Sequence, residues 1–379
     1  MTDTTTNPTW TTMGGNNART GTIRVKSAAT DAHPIRLQAQ GGIFGSPVLN
    51  REGHLFFADM AGGVFSYSHD GKLFWQKTIE GGVHASPALD LERNVLFVAT
   101  VTGTVCALDA ANGETVWKKT LAGKYDPRIL SDLLFLQKKQ LLILNSWDWN
   151  YTALNASNGE QKFTGPAGPS PRAAAAADHD ETIYIVRAEF GGDKSRRGVE
   201  LVQIHPDSGE EKSMFFHPFD RSVSHAPVLA AAPVIDEIRN LIYFISNIDQ
   251  GSMLHAVNPV SGESRWNYAL ARNVYATPCL MNDGCVTVGD LAGDVHCLDA
   301  DGRLHYRYKT GSYFIFGGPV CDGEGTVYVG DSEGKAHRID AKGIGEPFFE
   351  AERCIEGRLA LDSGGRLFVP STEGCVYMF

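Results

Sequence analysis

The chain has 379 residues, 42% of them hydrophobic and 21% charged, with a formal net charge of −10. That is ordinary globular composition, and the acidic balance argues against nucleic acid, which calls for clustered Lys and Arg. No run of ~18 apolar residues is present to form a membrane-spanning helix.

In chain order, residues 1–12 are polar and Thr-rich, without the charged start and apolar core of an export signal or a cysteine for lipid attachment. The seven cysteines are odd in number, never adjacent and never in CxxC spacing. They read as reduced, buried thiols on strands rather than a disulfide framework or a zinc site. The compartment expected from these two features is the cytoplasm. Residues 1–33 read as an N-terminal segment and residues 34–379 as a single repeat domain. The one dense basic cluster, Lys194-Ser195-Arg196-Arg197, sits beside glycines and reads as a solvated loop.

From residue 45 onward one pattern recurs at roughly 40 residues, a propeller period. A small-residue/Pro opening such as Ala85-Ser86-Pro87 leads into a short apolar strand and a polar turn. Val95-Leu96-Phe97-Val98 follows, then Thr102-Gly103, then a strand ending Ala107-Leu108-Asp109, a Gly turn at Gly113, and a last strand carrying Trp117. The third-strand signature returns as Ala153-Leu154-Asn155, Ala256-Val257-Asn258 and Cys297-Leu298-Asp299, and the fourth-strand aromatic as Trp75, Phe163, Trp266 and Tyr306. Tight Gly turns between short strands make a four-stranded antiparallel meander. Such a sheet is apolar on both faces and must stack on its neighbours. The small residue makes room for the aromatic, and the Asp satisfies turn amides.

Openings occur near residues 45, 85, 125, 169, 225, 276, 317 and 356, and the last copy stops after its third strand, at Phe379. The alternating stretch at residues 34–39 is expected to supply the missing strand and close the ring, removing the open edges. The predicted fold is therefore all-β: an eight-bladed β-propeller closed by an N-terminal strand.

The Ala-x-Asp…Gly…Trp spacing resembles the quinoprotein-type (PQQ-like) repeat propeller family over nearly the whole chain from Trp10, and Met13-Gly14 with Ala18-Arg19-Thr20-Gly21 resembles the usual opening of its stand-alone members. The family includes quinone-dependent alcohol dehydrogenases with a calcium or lanthanide ion and a vicinal disulfide. This chain has no Cys-Cys pair, so the resemblance carries no cofactor assignment. It also includes an exported lipoprotein of the outer-membrane assembly machine, whose signal and lipid-bearing cysteine are not found here. The resemblance thus implies a cytosolic stand-alone member, and fold alone does not supply its function.

First strands line a propeller's channel, and their starts lie on one rim with the loops between second and third strands. Here the starts hold Phe44, His84, Tyr125 with Asp126 and Arg128, Arg172, His225, Tyr275, Phe316, and Glu356 with Arg358. The loops hold Asp59, Trp147-Asp148-Trp149, Arg187 with Glu189, Asp249-Gln250, Asp290 and Asp331. Converging titratable groups and rings suit a small-molecule site. His84, Tyr125, His225 and Glu356 are the candidate acid–base groups. Phe44, Asp126, Trp147, Trp149, Tyr275 and Phe316 are candidate contacts, and Arg128, Arg172 and Arg358 candidate anion clamps. Taken singly, each His also suits a structural role. Asp59, Asp290 and Asp331 read as turn caps, and Trp147-Asp148-Trp149 as either an aromatic wall or a packing plug. Asp178-His179-Asp180-Glu181 reads as a hairpin turn on the opposite rim, and no metal motif is present. Insertions near residues 188–198 and 217–224 are candidate rim loops.

The favoured reading is a small-molecule-binding propeller performing acid–base chemistry (a lyase, cyclase, isomerase or hydrolase step) without a redox cofactor. The alternatives are a protein-interaction scaffold and a PQQ-dependent dehydrogenase.

Overall fold

A computed structural model describes residues 9–27, 33–123, 126–169, 172–189, 197–219, 230–248, 251–362 and 364–379. It contains eight four-stranded antiparallel sheets, each a blade. The first blade runs from the axis outward through Val48–Leu49, Leu55–Ala58, Gly63–Tyr67 and Leu73–Thr78. Six more span residues 88–120, 134–166, 176–218, 234–270, 279–309 and 320–350. The eighth takes Ala360–Leu361, Leu367–Ser371 and Cys375–Met378 from the C-terminus and Ile35–Gln38 from the N-terminal side. Ile35 pairs with Met378 and Gln38 with Cys375, which is the closure the truncated last repeat called for.

The repeat signature explains how blades stack. Ala107 lies directly opposite Trp117, Ala153 opposite Phe163, Ala256 opposite Trp266 and Cys297 opposite Tyr306. A small residue at that point leaves space for the ring to lean onto the following blade. There the indole Nε1 of Trp75 donates to Ala110 O (3.0 Å), that of Trp117 to Ala156 O (2.8 Å) and that of Trp266 to Ala300 O (3.0 Å). The turn glycine completes the fit. A Cβ on Gly159 would come within 2.8 Å of the Trp117 ring, and its φ of +71° suits glycine in any case.

The aspartates at the loop positions cap turns. Asp59 Oδ1 accepts from Ala61 N and Gly63 N, Asp290 Oδ1 from Ala292 N and Asp294 N, and Asp331 Oδ1 from Glu333 N and Lys335 N. Asp178 caps its hairpin through Asp180 N and Thr182 N. Its neighbour Glu181 accepts from Lys138 N and Lys139 N of the preceding blade. Arg187 is held by Glu200 (2.9 Å) and Glu211 (2.7 Å), within the fourth blade.

The N-terminal segment has a role that its sequence does not announce. Residues 10–27 pass beneath the far ends of the inner strands and touch every blade in turn. Leu49 N donates to Trp10 O, Leu89 N to Thr11 O, Ala177 N to Asn17 O, Ile235 N to Ala18 O, Leu280 N to Thr20 O and Cys321 N to Gly21 O. Asn17 Nδ2 donates to Phe135 O in the third blade, and Ser27 Oγ to Gly365 O in the eighth. This belt forms the floor of the central channel.

Candidate functional site

Above the belt the inner-strand starts enclose a funnel. Among the described residues its wall includes Phe44, His84, Arg172, Tyr275, Phe316, Glu356 and Arg358, together with Asp132, Leu130 and Met13. The sequence register placed the first seven on one rim, and the fold brings them together. It missed Asp132, Leu130 and Met13. Met13 belongs to the belt, which no repeat signature marks.

Three non-adjacent blades meet across the axis. Arg172 Nη2 lies 2.6 Å from His84 Nε2 and donates to Glu356 Oε1 at 3.1 Å. The His84 ring also stacks on Phe44, centroids 5.2 Å apart. Burial, with the Arg172 charge in support, pulls the imidazole down from 6.5 to about 4. His84 is therefore neutral near pH 7 and accepts at Nε2 from the guanidinium. A histidine held that low is a weak base and supplies almost no acid form at neutral pH.

Arg358, expected as an anion clamp, is corrected by its partners. It is 3% exposed. Nε donates to Pro319 O, Nη2 to Pro278 O and Pro319 O, and Nη1 to Arg19 O and Met13 Sδ. Those contacts account for the five N–H groups of a guanidinium, so Arg358 adds charge to the funnel but has no donor left for a ligand. Arg19, 0% exposed, mirrors it below, donating to Ala175 O, Thr12 Oγ1, Met13 O and Leu133 O. Burial lowers both arginines to about 10, still well above neutral pH.

Asp126, Arg128, Trp147 and Trp149 are not on the funnel wall. Arg128 pairs with Asp126 through Nε and Nη2 at 2.6–3.0 Å and lies 4.7 Å over the Trp147 ring. Trp149 is 55% exposed with φ +63°. Asp126, Arg128 and Trp147 form a separate cluster beside the third blade, so two of the clamp arginines are already committed. Tyr125, His225, Asp249, Gln250 and most of both insertions lie outside the described residues.

The cavity itself is about 80 Å³, far below the ~300 Å³ at which metabolite pockets begin. A tricyclic quinone does not fit beside the His84–Arg172–Glu356 bridge, and the residues present do not supply a quinone site. Asp290, Asp294 and His296 approach one another, but Asp294 is paired with Arg307 and His296 with Asp290, so that cluster is already satisfied internally. Outside the cavity, Tyr313 (74% exposed) and Phe314 (42%) rise at the rim between the sixth and seventh blades. Phe314 leads onto Phe316 with ring centroids 5.6 Å apart.

Comparison with known proteins matches residues 70–250 and 249–346 to the family model described as outer membrane protein assembly factor BamB. The protein of that name from Burkholderia pseudomallei is 24% identical over 267 residues, 70% of this chain and 65% of that protein. The chain thus spans just under two thirds of this relative's length. Among solved structures, BamB from Moraxella catarrhalis superimposes with a TM-score of 0.70 at 19% identity, covering 92% of this chain and 96% of that one. The quinohemoprotein alcohol dehydrogenase of Comamonas testosteroni gives 0.76 at 14% identity, covering 98% and 80%. At such identities the two structures speak for the fold alone. Relatives described as outer membrane protein assembly factors overturn the cytoplasmic expectation, which rested on a polar N-terminus and unpaired cysteines.

Proposed function

Because the chain belongs to the quinoprotein-type repeat propeller family, within the group described as outer membrane protein assembly factor BamB, we propose that it is a protein-interaction scaffold in outer membrane protein assembly. In this reading it works outside the cytoplasm and docks partner segments on its funnel rim.

The observation that carries the rim assignment is the aromatic run Tyr313-Phe314, exposed beside Phe316 at the mouth of a cavity of only about 80 Å³. Large rings left in water beside a concave mouth are the anchors that protein interfaces use. A site for a free metabolite needs the opposite: a large enclosed volume and a small apolar rim. The acid–base reading gains no support from a neutral His84 and a saturated Arg358.

The test is complementation. In a bacterium lacking its own assembly factor, the protein restores outer membrane protein levels. The Tyr313→Ser/Phe314→Ser double variant fails to do so while its thermal unfolding is unchanged. Full complementation by the double variant would sink the rim assignment.

A further inference from the structure

Among the described residues of the funnel, one guanidinium has donors that are not all spent. Arg172 uses Nη2 for His84 and Glu356, and among the described residues its Nε and Nη1 make no hydrogen bond. Its side chain is 29% exposed. We propose that Arg172 is the receptor for a partner's carboxylate: an Asp or Glu side chain of a docked segment enters the mouth and takes Nη2 in exchange for Glu356, together with one of the two open donors beside it. Glu356 is the built-in competitor for the same charge.

Charge favours this occupant. Among the described residues, Arg172, Arg358 and Arg19 beneath it face Asp132 and Glu356, and His84 is neutral, so described cations exceed described carboxylates in the funnel of a protein whose net charge is −10. A positive well in a negative surface draws anions selectively. Size favours it as well. About 80 Å³ admits a carboxylate head with a methylene or two, not a whole metabolite. Geometry prepares it, because His84 is stacked on Phe44 and bonded to Nη2, which fixes the plane of the fork. The rings of Phe44, Tyr275 and Phe316 wall the entrance and shield the pair from water, where it is stronger. Planar, two-point capture of a carboxylate is the interaction that arginine makes best.

The inference rests on the rim being a docking surface. Impaired assembly in the aromatic double variant together with a silent titration below would remove Arg172 alone. Unimpaired assembly would remove the docking surface itself.

The probe is N-acetyl-glutamate amide, with the glutamine counterpart as neutral control, titrated into the intact protein. The readout is the His84 ring signal by NMR, assigned through its loss in His84→Gln. The expected result is a saturable His84 shift with the glutamate probe and none with the glutamine one, abolished in Arg172→Gln. Glu356→Gln removes the competing charge and tightens binding about five-fold, the scale of a partly exposed ion pair. A gain of that kind cannot come from a misfolded variant. No saturable shift, an equal response to the neutral probe, or no tightening in Glu356→Gln overturns the proposal.

Discussion

The floor and the mouth of the funnel use the same side chain to different ends. On the floor, Arg19 and Arg358 are fully buried with no carboxylate in contact, and backbone carbonyls take nearly every N–H. At the mouth, Arg172 is partly exposed, has a carboxylate partner, and keeps donors in reserve. A buried guanidinium is costly unless all its donors are met, so the floor arginines act as rivets. Arg358 joins the sixth, seventh and eighth blades to the belt, and Arg19 joins the belt to the third and fourth. Residual donor capacity, rather than the presence of an arginine, separates the binding position from the structural one.

That distinction can be broken by measurement. The largest effect is expected from Arg19→Ala, which strands Ala175 O and Met13 O in a dry site. Urea unfolding should show a loss of about 3 kcal/mol or more, and a loss under 1 kcal/mol would deny the rivet. Next comes pH. His84 has a folded-state value near 4 against 6.5 unfolded, so between those values the unfolded chain binds a proton that the folded one refuses. Its contribution is full above about pH 6.5 and falls as pH drops, by up to about 3 kcal/mol near pH 4. His84→Gln should flatten the stability profile in that window, and an unaltered profile would mean that the imidazole is not held neutral. Arg172→Ala should cost about 1 kcal/mol or less, as partly exposed pairs do, while impairing assembly; a large loss of stability would make it a rivet too. The smallest change in stability, within about 0.5 kcal/mol, is expected for Tyr313→Ser/Phe314→Ser, checked by thermal unfolding.

The blades were legible because their chemistry is local and repeated. Ala107 facing Trp117, with Gly and Asp at fixed offsets, needs no knowledge of distant residues, and the missing strand of the last copy pointed to residues 34–39. The rim was legible for the same reason: register alone put His84, Arg172, Tyr275 and Glu356 on one circle. What register could not supply was which partners each side chain finds. Arg128 turns aside to Asp126, two positions away, and Arg358 is consumed by Pro278 O, Pro319 O and Arg19 O, the last more than 300 positions distant. The belt escaped notice because its bonds are made mostly by backbone groups, one or two per blade, and backbone groups leave no mark on composition. Asp132, which receives Ser86 N, lies just past the third opening and carries no rim signature.

Ring closure by Ile35–Gln38 against Cys375–Met378 has a bearing on the order of events in biosynthesis. The strand at Ile35–Gln38 has its partner at Cys375–Met378, so it stays without its sheet until that later strand has been synthesised. Contacts of such sequence separation are slow to form, and an open blade edge is an adhesive surface while it lasts.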